Sequence, residues 1–386
     1  MNEYFRKLFS DLKFEYFILI DGKLRANRIL FFLLWLTIFL NQSCHEKSLA
    51  PEFPQPTPRI QNVPFFFQKY YKEPLENPST EEGINLGKAL FFDKSLSLDN
   101  SISCSNCHKP EKAFTDGLPL AVGIYNKIGR RNTPGILNTA VQQKFFWDGR
   151  DTSLEQQSLH PIQDPNEMGL SLPELELKIK SNPIYPPLFG KAFGSKEVTS
   201  KKIGKALAQF ERTLLTQNSK YDKFLKKEYN PTQEELKGMQ LFFQHPEAGR
   251  IRGGNCGDCH LPQTLFGKPD QFSGFHNTGL TEISAQDIGL QAVTGNVSDF
   301  GKFKPPGLRN IALTGPYMHD GRFQSLEQVL DHYNSLDLFS KPNIDPLIQL
   351  GSNDRLRKSL SLTEAEKVLI IAFLNMLTDS SALVVP

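Results

Sequence analysis

Neither sign of charge is in excess in this sequence: 44 basic residues against 42 acidic ones leave a formal net charge of +2. Without a basic surplus there is no electrostatic case for a nucleic-acid partner. A membrane-spanning run is missing too. The apolar stretch from Ile29 to Leu40 covers twelve residues, whereas crossing a bilayer takes about 20. Strand signals are scarce and loops containing Pro and Gly are long and common, so little β structure is expected. Methionine is limited to five residues, cysteine to five and tryptophan to two. Phenylalanine is the abundant exception at 30 residues. That surplus suits a protein that encloses large flat cofactors, and equally a Phe-rich core. With 386 residues there is room for two domains with cores of their own.

The N-terminus reads as an export signal over residues 1–44. Basic residues between Lys23 and Arg28 precede the apolar run, and Asn41-Gln42-Ser43-Cys44 follows it. A small residue before a cysteine resembles a bacterial lipoprotein cleavage site, although Asn41 stands where a small or aliphatic residue is usual. The expected location is therefore the periplasm, with a lipid anchor on Cys44 as the only membrane contact. The alternative is a plain signal peptide, or an uncleaved anchor, with an incidental cysteine. Residues 45–64 are rich in Pro and polar residues and read as a flexible tether.

The other four cysteines carry the argument. They form Cys104-Ser105-Asn106-Cys107-His108 and Cys256-Gly257-Asp258-Cys259-His260. Two cysteines three positions apart can form thioethers to the two vinyl groups of one haem. The histidine that follows is then placed to ligate the iron. Four thiolates could instead share a zinc ion, but zinc has no need of a histidine after both pairs. A disulfide reading also leaves both histidines unexplained. Two covalently bound haem c groups are the expected cofactors.

An internal repeat agrees with two haem units. Ser79-Thr80-Glu81-Glu82 leads into Gly87-Lys88-Ala89-Leu90-Phe91-Phe92, and Thr232-Gln233-Glu234-Glu235 leads into Gly238-Met239-Gln240-Leu241-Phe242-Phe243. Each copy begins as a capping box and continues as a helix whose Leu-Phe-Phe end would line a haem pocket. Ile203, Leu207, Phe210 and Leu214 share one helical face. Near the C-terminus the Thr363 capping box precedes Ile370, Phe373, Leu374 and Leu377 at helical spacing. The expected fold is mainly α, with two domains over 65–218 and 219–382, each holding one haem.

Further runs resemble the bacterial di-haem cytochrome c peroxidases. These are Arg131-Asn132-Thr133-Pro134, Phe146-Trp147-Asp148-Gly149-Arg150, Ser153-Leu154-Glu155-Gln156-Gln157, Pro161-Ile162 and Glu167-Met168. In the second half, Leu308-Arg309-Asn310-Ile311-Ala312-Leu313-Thr314 and Pro316-Tyr317-Met318-His319-Asp320-Gly321 continue the match. The resemblance covers residues 79 to 377 and extends to MauG, a member that oxidises residues of a partner protein. It implies two cytochrome-c-like domains: a peroxidatic haem in the first, and an electron-transfer haem in the second.

The resemblance also implies site residues. His108 and His260 would ligate the two irons. Ile124 stands where typical peroxidases carry a histidine over the first haem, which implies an open iron unless Tyr125 or another loop residue takes the place. Tyr333 stands where they carry methionine and MauG carries tyrosine. A thioether raises the haem potential, whereas a phenolate, a hard anionic donor, lowers it; the alternatives are Met318, His332 or no protein ligand. Glu167 matches the distal acid/base, Gln157 the orienting hydrogen-bond donor and Trp147 the electron relay. Asn132, with the carbonyls of Thr314 and Pro316, matches a calcium site. His319 would hydrogen-bond near a haem edge or propionate. The implied activity is reduction of hydrogen peroxide with electrons from a small cytochrome c, in a chain that can pair as a homodimer. The alternatives are MauG-like oxidation of a protein or other substrate, with oxidising equivalents stored at both haems, and electron transfer without catalysis.

Overall fold

The computed structural model describes residues 52–262, 264–267, 274–280, 287–341, 343–383 and 385. The export segment, Cys44 and residues 45–51 of the expected tether lie outside the described residues. From Phe53 onward the chain forms one unit of helices joined by long loops, in which the only β pairing among the described residues is isolated bridges.

The repeat seen in the sequence is a repeat of helix pairs. In the first half Glu81–Phe92 crosses Ser200–Glu211; in the second Gln233–Phe243 crosses Glu364–Met376. Both crossings are made at a glycine. A Cβ on Gly87 would lie 1.9 Å from the Ala206 carbonyl oxygen, and one on Gly238 would lie 1.9 Å from that of Leu369. Any larger residue would push the helices apart. Beside each glycine the same ring pair forms: Phe91 with Phe210 and Phe242 with Phe373, both with centroids 5.1 Å apart. All four rings are buried, and each such side chain contributes about 1.5–3 kcal/mol. The Leu-Phe-Phe ends are only partly inward, since Phe92 remains exposed.

The Thr232–Glu235 and Thr363–Glu366 capping boxes form as expected. The first does not. Thr80, not Ser79, caps its helix, accepting from Gly83 N at 3.0 Å. Glu82 turns away to take Thr57 N at 2.7 Å and Thr57 Oγ1 at 2.9 Å. Arg59 N donates to Ser79 O, and Glu81 N to Thr57 O. The later part of the expected tether is thus bound to the helix N-terminus, where otherwise unpaired N–H groups need acceptors.

Residues near both ends of the described chain pack across the two halves. Phe66 and Phe67, at the nominal start of the first half, pack with Val141 and with Phe266 of the second. Val385 returns to pack against the core of the first half.

Candidate active site

One cavity of about 900 Å³ runs between the halves, at the upper end of the range for a small-molecule site. Both Cys-x-x-Cys-His motifs line it, together with Glu167, Gln157, Trp147, Tyr333, Asn132, Thr314 and Pro316. The residues given a haem-attachment, acid/base, relay or calcium role are therefore in one place, whereas Ile124, Tyr125 and His332 do not line the cavity.

The first motif is a short helix, Cys104–Cys107, closed by a Ser103–Asn106 capping box. His108 follows with its ring fixed: Nδ1 donates to Phe114 O at 3.0 Å, which leaves Nε2 for a ligand. Burial pushes the Cys104 and Cys107 thiols up to about 12 and holds His108 below its ordinary value. The second motif repeats the environment. Burial pushes Cys256 up to about 12 and His260 down to about 4. His260 Nδ1 has no partner within hydrogen-bond distance, the nearest carbonyls being those of Leu265 and Pro306.

The four cysteines form no disulfide. No three His, Cys, Asp or Glu side chains converge as a metal cluster among the described residues, which leaves the shared-zinc reading without its four donors. Neutral, half-buried thiols in pairs, each followed by a half-buried neutral imidazole, fit covalent attachment of one haem per motif. Cys104, Cys107 and His108 would hold the first, and Cys256, Cys259 and His260 the second.

Glu167 belongs to the first motif. Its charge is felt at both Cys104 and Cys107, and burial, reinforced by Asp164 and opposed by Arg150, pushes its carboxyl up to about 7. Gln157 ends the short helix Leu154–Gln157 at the same cavity. Tyr333 ends Leu326–Tyr333 and belongs to the second motif. Burial, then Cys259 and Cys256, pushes its phenol up. Of its rivals, Met318 lines the cavity, whereas His332 Nε2 is taken by Thr278 O at 2.8 Å.

At Ile124 the structure adds a direction that the sequence argument lacked. Its side chain is buried against Gly169 and its N–H donates to Glu167 O at 2.8 Å. It is not among the cavity-lining residues, and Tyr125 points out at 64% exposure. Alignment located the loop but not the direction of its side chains.

What stands opposite Tyr333 emerges from a second repeat, visible in the backbone. Asn138 and Asn310 share φ of 63°, Phe146 and Met318 take 62° and 74°, and Gly149 and Gly321 take 70° and 65°. Phe145 bridges to Asp151 as Tyr317 bridges to Phe323. Asn138 N donates to Leu214 O as Asn310 N donates to Leu377 O. In this register Trp147 corresponds to His319, Gln157 to Val329 and Pro161 to Tyr333. Each of the last two lies eight residues after its N-cap serine, Ser153 or Ser325, and both line the cavity. Proline offers no ligating atom.

Trp147 sits where the halves meet. Its Nε1 donates to Asn132 O at 2.9 Å, and its own carbonyl accepts from Lys304 N at 2.8 Å. Asn132 spends its side-chain amide on Leu118 O, leaving its amide oxygen for a cation. His319 lines the cavity and stacks on Phe303 with centroids 3.7 Å apart. A bidentate pair of Arg131 with Asp287, at 2.7 and 2.8 Å, ties the halves together.

Glu211 and His276 also line the cavity and were missed in the sequence. Glu211 is buried, its Oε2 unpartnered, its carboxyl pushed up to about 8 by burial, and its charge felt at Cys104. Its place one turn after Leu207 on the apolar face was the available signal. His276 is also buried. Nδ1 donates to Asp345 at 2.8 Å while Nε2 has no partner.

Comparison with known proteins agrees with this site. The family described as di-haem cytochrome c peroxidase matches residues 81–230. Cytochrome c551 peroxidase of Nitrosomonas europaea is 38% identical over 70% of this chain and 79% of its own length. Methylamine utilization protein MauG of Methylorubrum extorquens is 39% identical over 67% of this chain and 70% of its own. Among solved structures, a MauG-like protein associated with microbial copper homeostasis superposes with a TM-score of 0.71 at 33% identity, covering 85% of this chain and 98% of that one. The expected cytochrome-c-like architecture and peroxidase-type oxidoreductase class follow, and the chain belongs to the di-haem cytochrome c peroxidase and MauG family.

Proposed function

We propose that the protein reduces hydrogen peroxide at the first motif, with electrons drawn through the second from a small cytochrome. The observation that carries this reading is the asymmetry of the two repeats: Gln157, Pro161 and a buried Glu167 whose carboxyl is held well above its ordinary value at the first, Val329 and Tyr333 at the second. A haem bound at the first motif would supply the iron that takes up peroxide and receives its oxidising equivalents. The chain's own part is acid–base chemistry. Glu167 in its carboxylate form takes the proton from one peroxide oxygen and returns it to the other. The Gln157 amide donates the hydrogen bond that orients the peroxide, and Pro161 leaves the approach open. Two further protons and two electrons complete two waters, with Trp147 as the electron relay.

Tyr333 favours a second reading, MauG-like oxidation of a protein substrate, because a phenolate at the second iron disfavours its reduction. Peroxide turnover by the fully oxidised, haem-loaded protein with reduced small cytochrome c separates the two. Fast cytochrome oxidation without a reductive lag supports the peroxidase. Little turnover and a long-lived oxidised protein after one equivalent of peroxide support the MauG-like reading.

Asn132, Thr314 and Pro316 are assigned to a calcium ion, which metal analysis of the holoprotein tests. Residues 1–44 support a periplasmic location with an anchor on Cys44, and sedimentation tests the homodimer.

A further inference from the structure

Lys304 is a cation that the chemistry above does not use. It keeps some accessible surface because it lines the cavity, yet burial alone pushes its ammonium down to about 8. Its hydrogen-bond partner is neutral: Nζ donates to Gln142 Oε1 at 3.0 Å. Among the described residues no carboxylate lies within ion-pair distance of it. A desolvated ammonium in such a place is costly unless an anion joins it.

Its position is set from both halves. Lys304 N donates to Trp147 O at 2.8 Å, and its counterpart in the repeat, Asn132, donates from N to His319 O at 2.7 Å. Each half therefore reaches across to the other at the corresponding place. One of the two positions carries a neutral amide and the other a full positive charge. That charge reaches the second motif: after burial and His276, Lys304 helps to hold His260 low.

The group that enters this cavity carries the missing anion. A c-type haem has two propionate carboxylates at the edge away from its thioethers, and a carboxylate on an ammonium makes a charge-assisted hydrogen bond. We propose that Lys304 Nζ, with Gln142 behind it, binds a propionate carboxylate of the haem at the second motif and fixes that edge beside Trp147. Held there, the ammonium offsets the propionate charge and favours the reduced haem. The proposal rests on a haem at the second motif, and not on whether the protein turns over peroxide.

The test is Lys304→Gln in the haem-loaded protein. Each haem's midpoint potential is read by spectroelectrochemical titration, and propionate bending bands by resonance Raman. The ferrous-to-ferric ratio of the second haem at fixed potential should fall about tenfold, about 59 mV for a one-electron couple. Its propionate bands should shift, and the first haem should stay within about threefold. Lys304→Arg should retain both signatures. Unchanged potentials and bands in a Lys304→Gln protein with two haems overturn the proposal. If that variant does not load haem, Lys304→Arg decides: retained potential and bands support the seat, and loss of both overturns it. None of these readouts requires peroxide, so an inactive protein tests the seat equally well.

Discussion

Eight residues after Ser153 the chain has Pro161; eight residues after Ser325 it has Tyr333. The two halves share the glycine helix crossing, the ring pair at 5.1 Å and the succession of left-handed turns. They differ at the few side chains that those shared elements aim into the cavity. Trp147 faces His319, Gln157 faces Val329, Asn132 faces Lys304 and Leu137 faces Arg309 in the same register. Duplicated backbone thus supplies two equivalent seats, and a handful of side chains set them apart, as the proposed division of roles between them requires.

The largest expected effect comes from removing one seat. Cys104→Ser with Cys107→Ser should bring peroxide turnover to background while the absorption spectrum of the second haem persists. The mirror pair, Cys256→Ser with Cys259→Ser, should stop cytochrome oxidation but leave peroxide binding at the first haem. Equal loss of both functions from either pair would break the division of labour.

Next in size is Glu167→Gln, which should lower kcat/KM for peroxide about 10²- to 10⁴-fold and leave the second haem's potential unchanged. The sign of the pH dependence follows from burial, which disfavours the carboxylate and moves its ionisation to about 7. The base form is the active one, so the wild-type rate should rise with pH through about 7. In the Gln variant that limb should disappear; a surviving limb assigns the titration to another group.

The Arg309–Asp222 pair has no counterpart in the first half, where Leu137 takes the arginine's place. Both partners are buried, and the guanidinium lies 4.7 and 4.9 Å from the Phe66 and Phe67 centroids. Asp222→Ala should cost about 3–5 kcal/mol by stranding that charge, measured by denaturant unfolding of the holoprotein. Replacing both partners with apolar residues should cost far less. A single variant as stable as wild type would show that the pair adds nothing.

The smallest effect expected is from Tyr333→Met. A thioether in place of a phenolate should raise the second haem's potential by at least about tenfold in the reduction equilibrium, about 59 mV. A potential that stays put would remove Tyr333 from the iron.

How much was legible differs from residue to residue. Both haem attachments were, because two thioethers and one iron ligand must come from five consecutive residues. The two repeated helices were too, as Gly87 and Gly238 stand in matching apolar repeats; their crossing at those glycines was not. That Ile124 supplies no ligand was legible from its side-chain chemistry, but its direction, toward Gly169, was not. Residues 57–59 looked like tether by composition, yet helix N-terminal N–H groups and Glu82 recruited them. Glu211, His276 and Lys304 passed as ordinary polar residues, since a lone charge in a sequence does not reveal that its surroundings exclude water.

The sequence alone determined the covalent chemistry, the duplicated helices and the family, because each is written in contiguous residues at set spacing. Tertiary structure decided which loop side chains face the cavity and which carboxyl is poised near 7. It also decided that Lys304 lines the cavity with no carboxylate in ion-pair distance among the described residues. These depend on desolvation and on contacts between residues far apart in the chain, such as Lys304 with Trp147, and no local pattern encodes them.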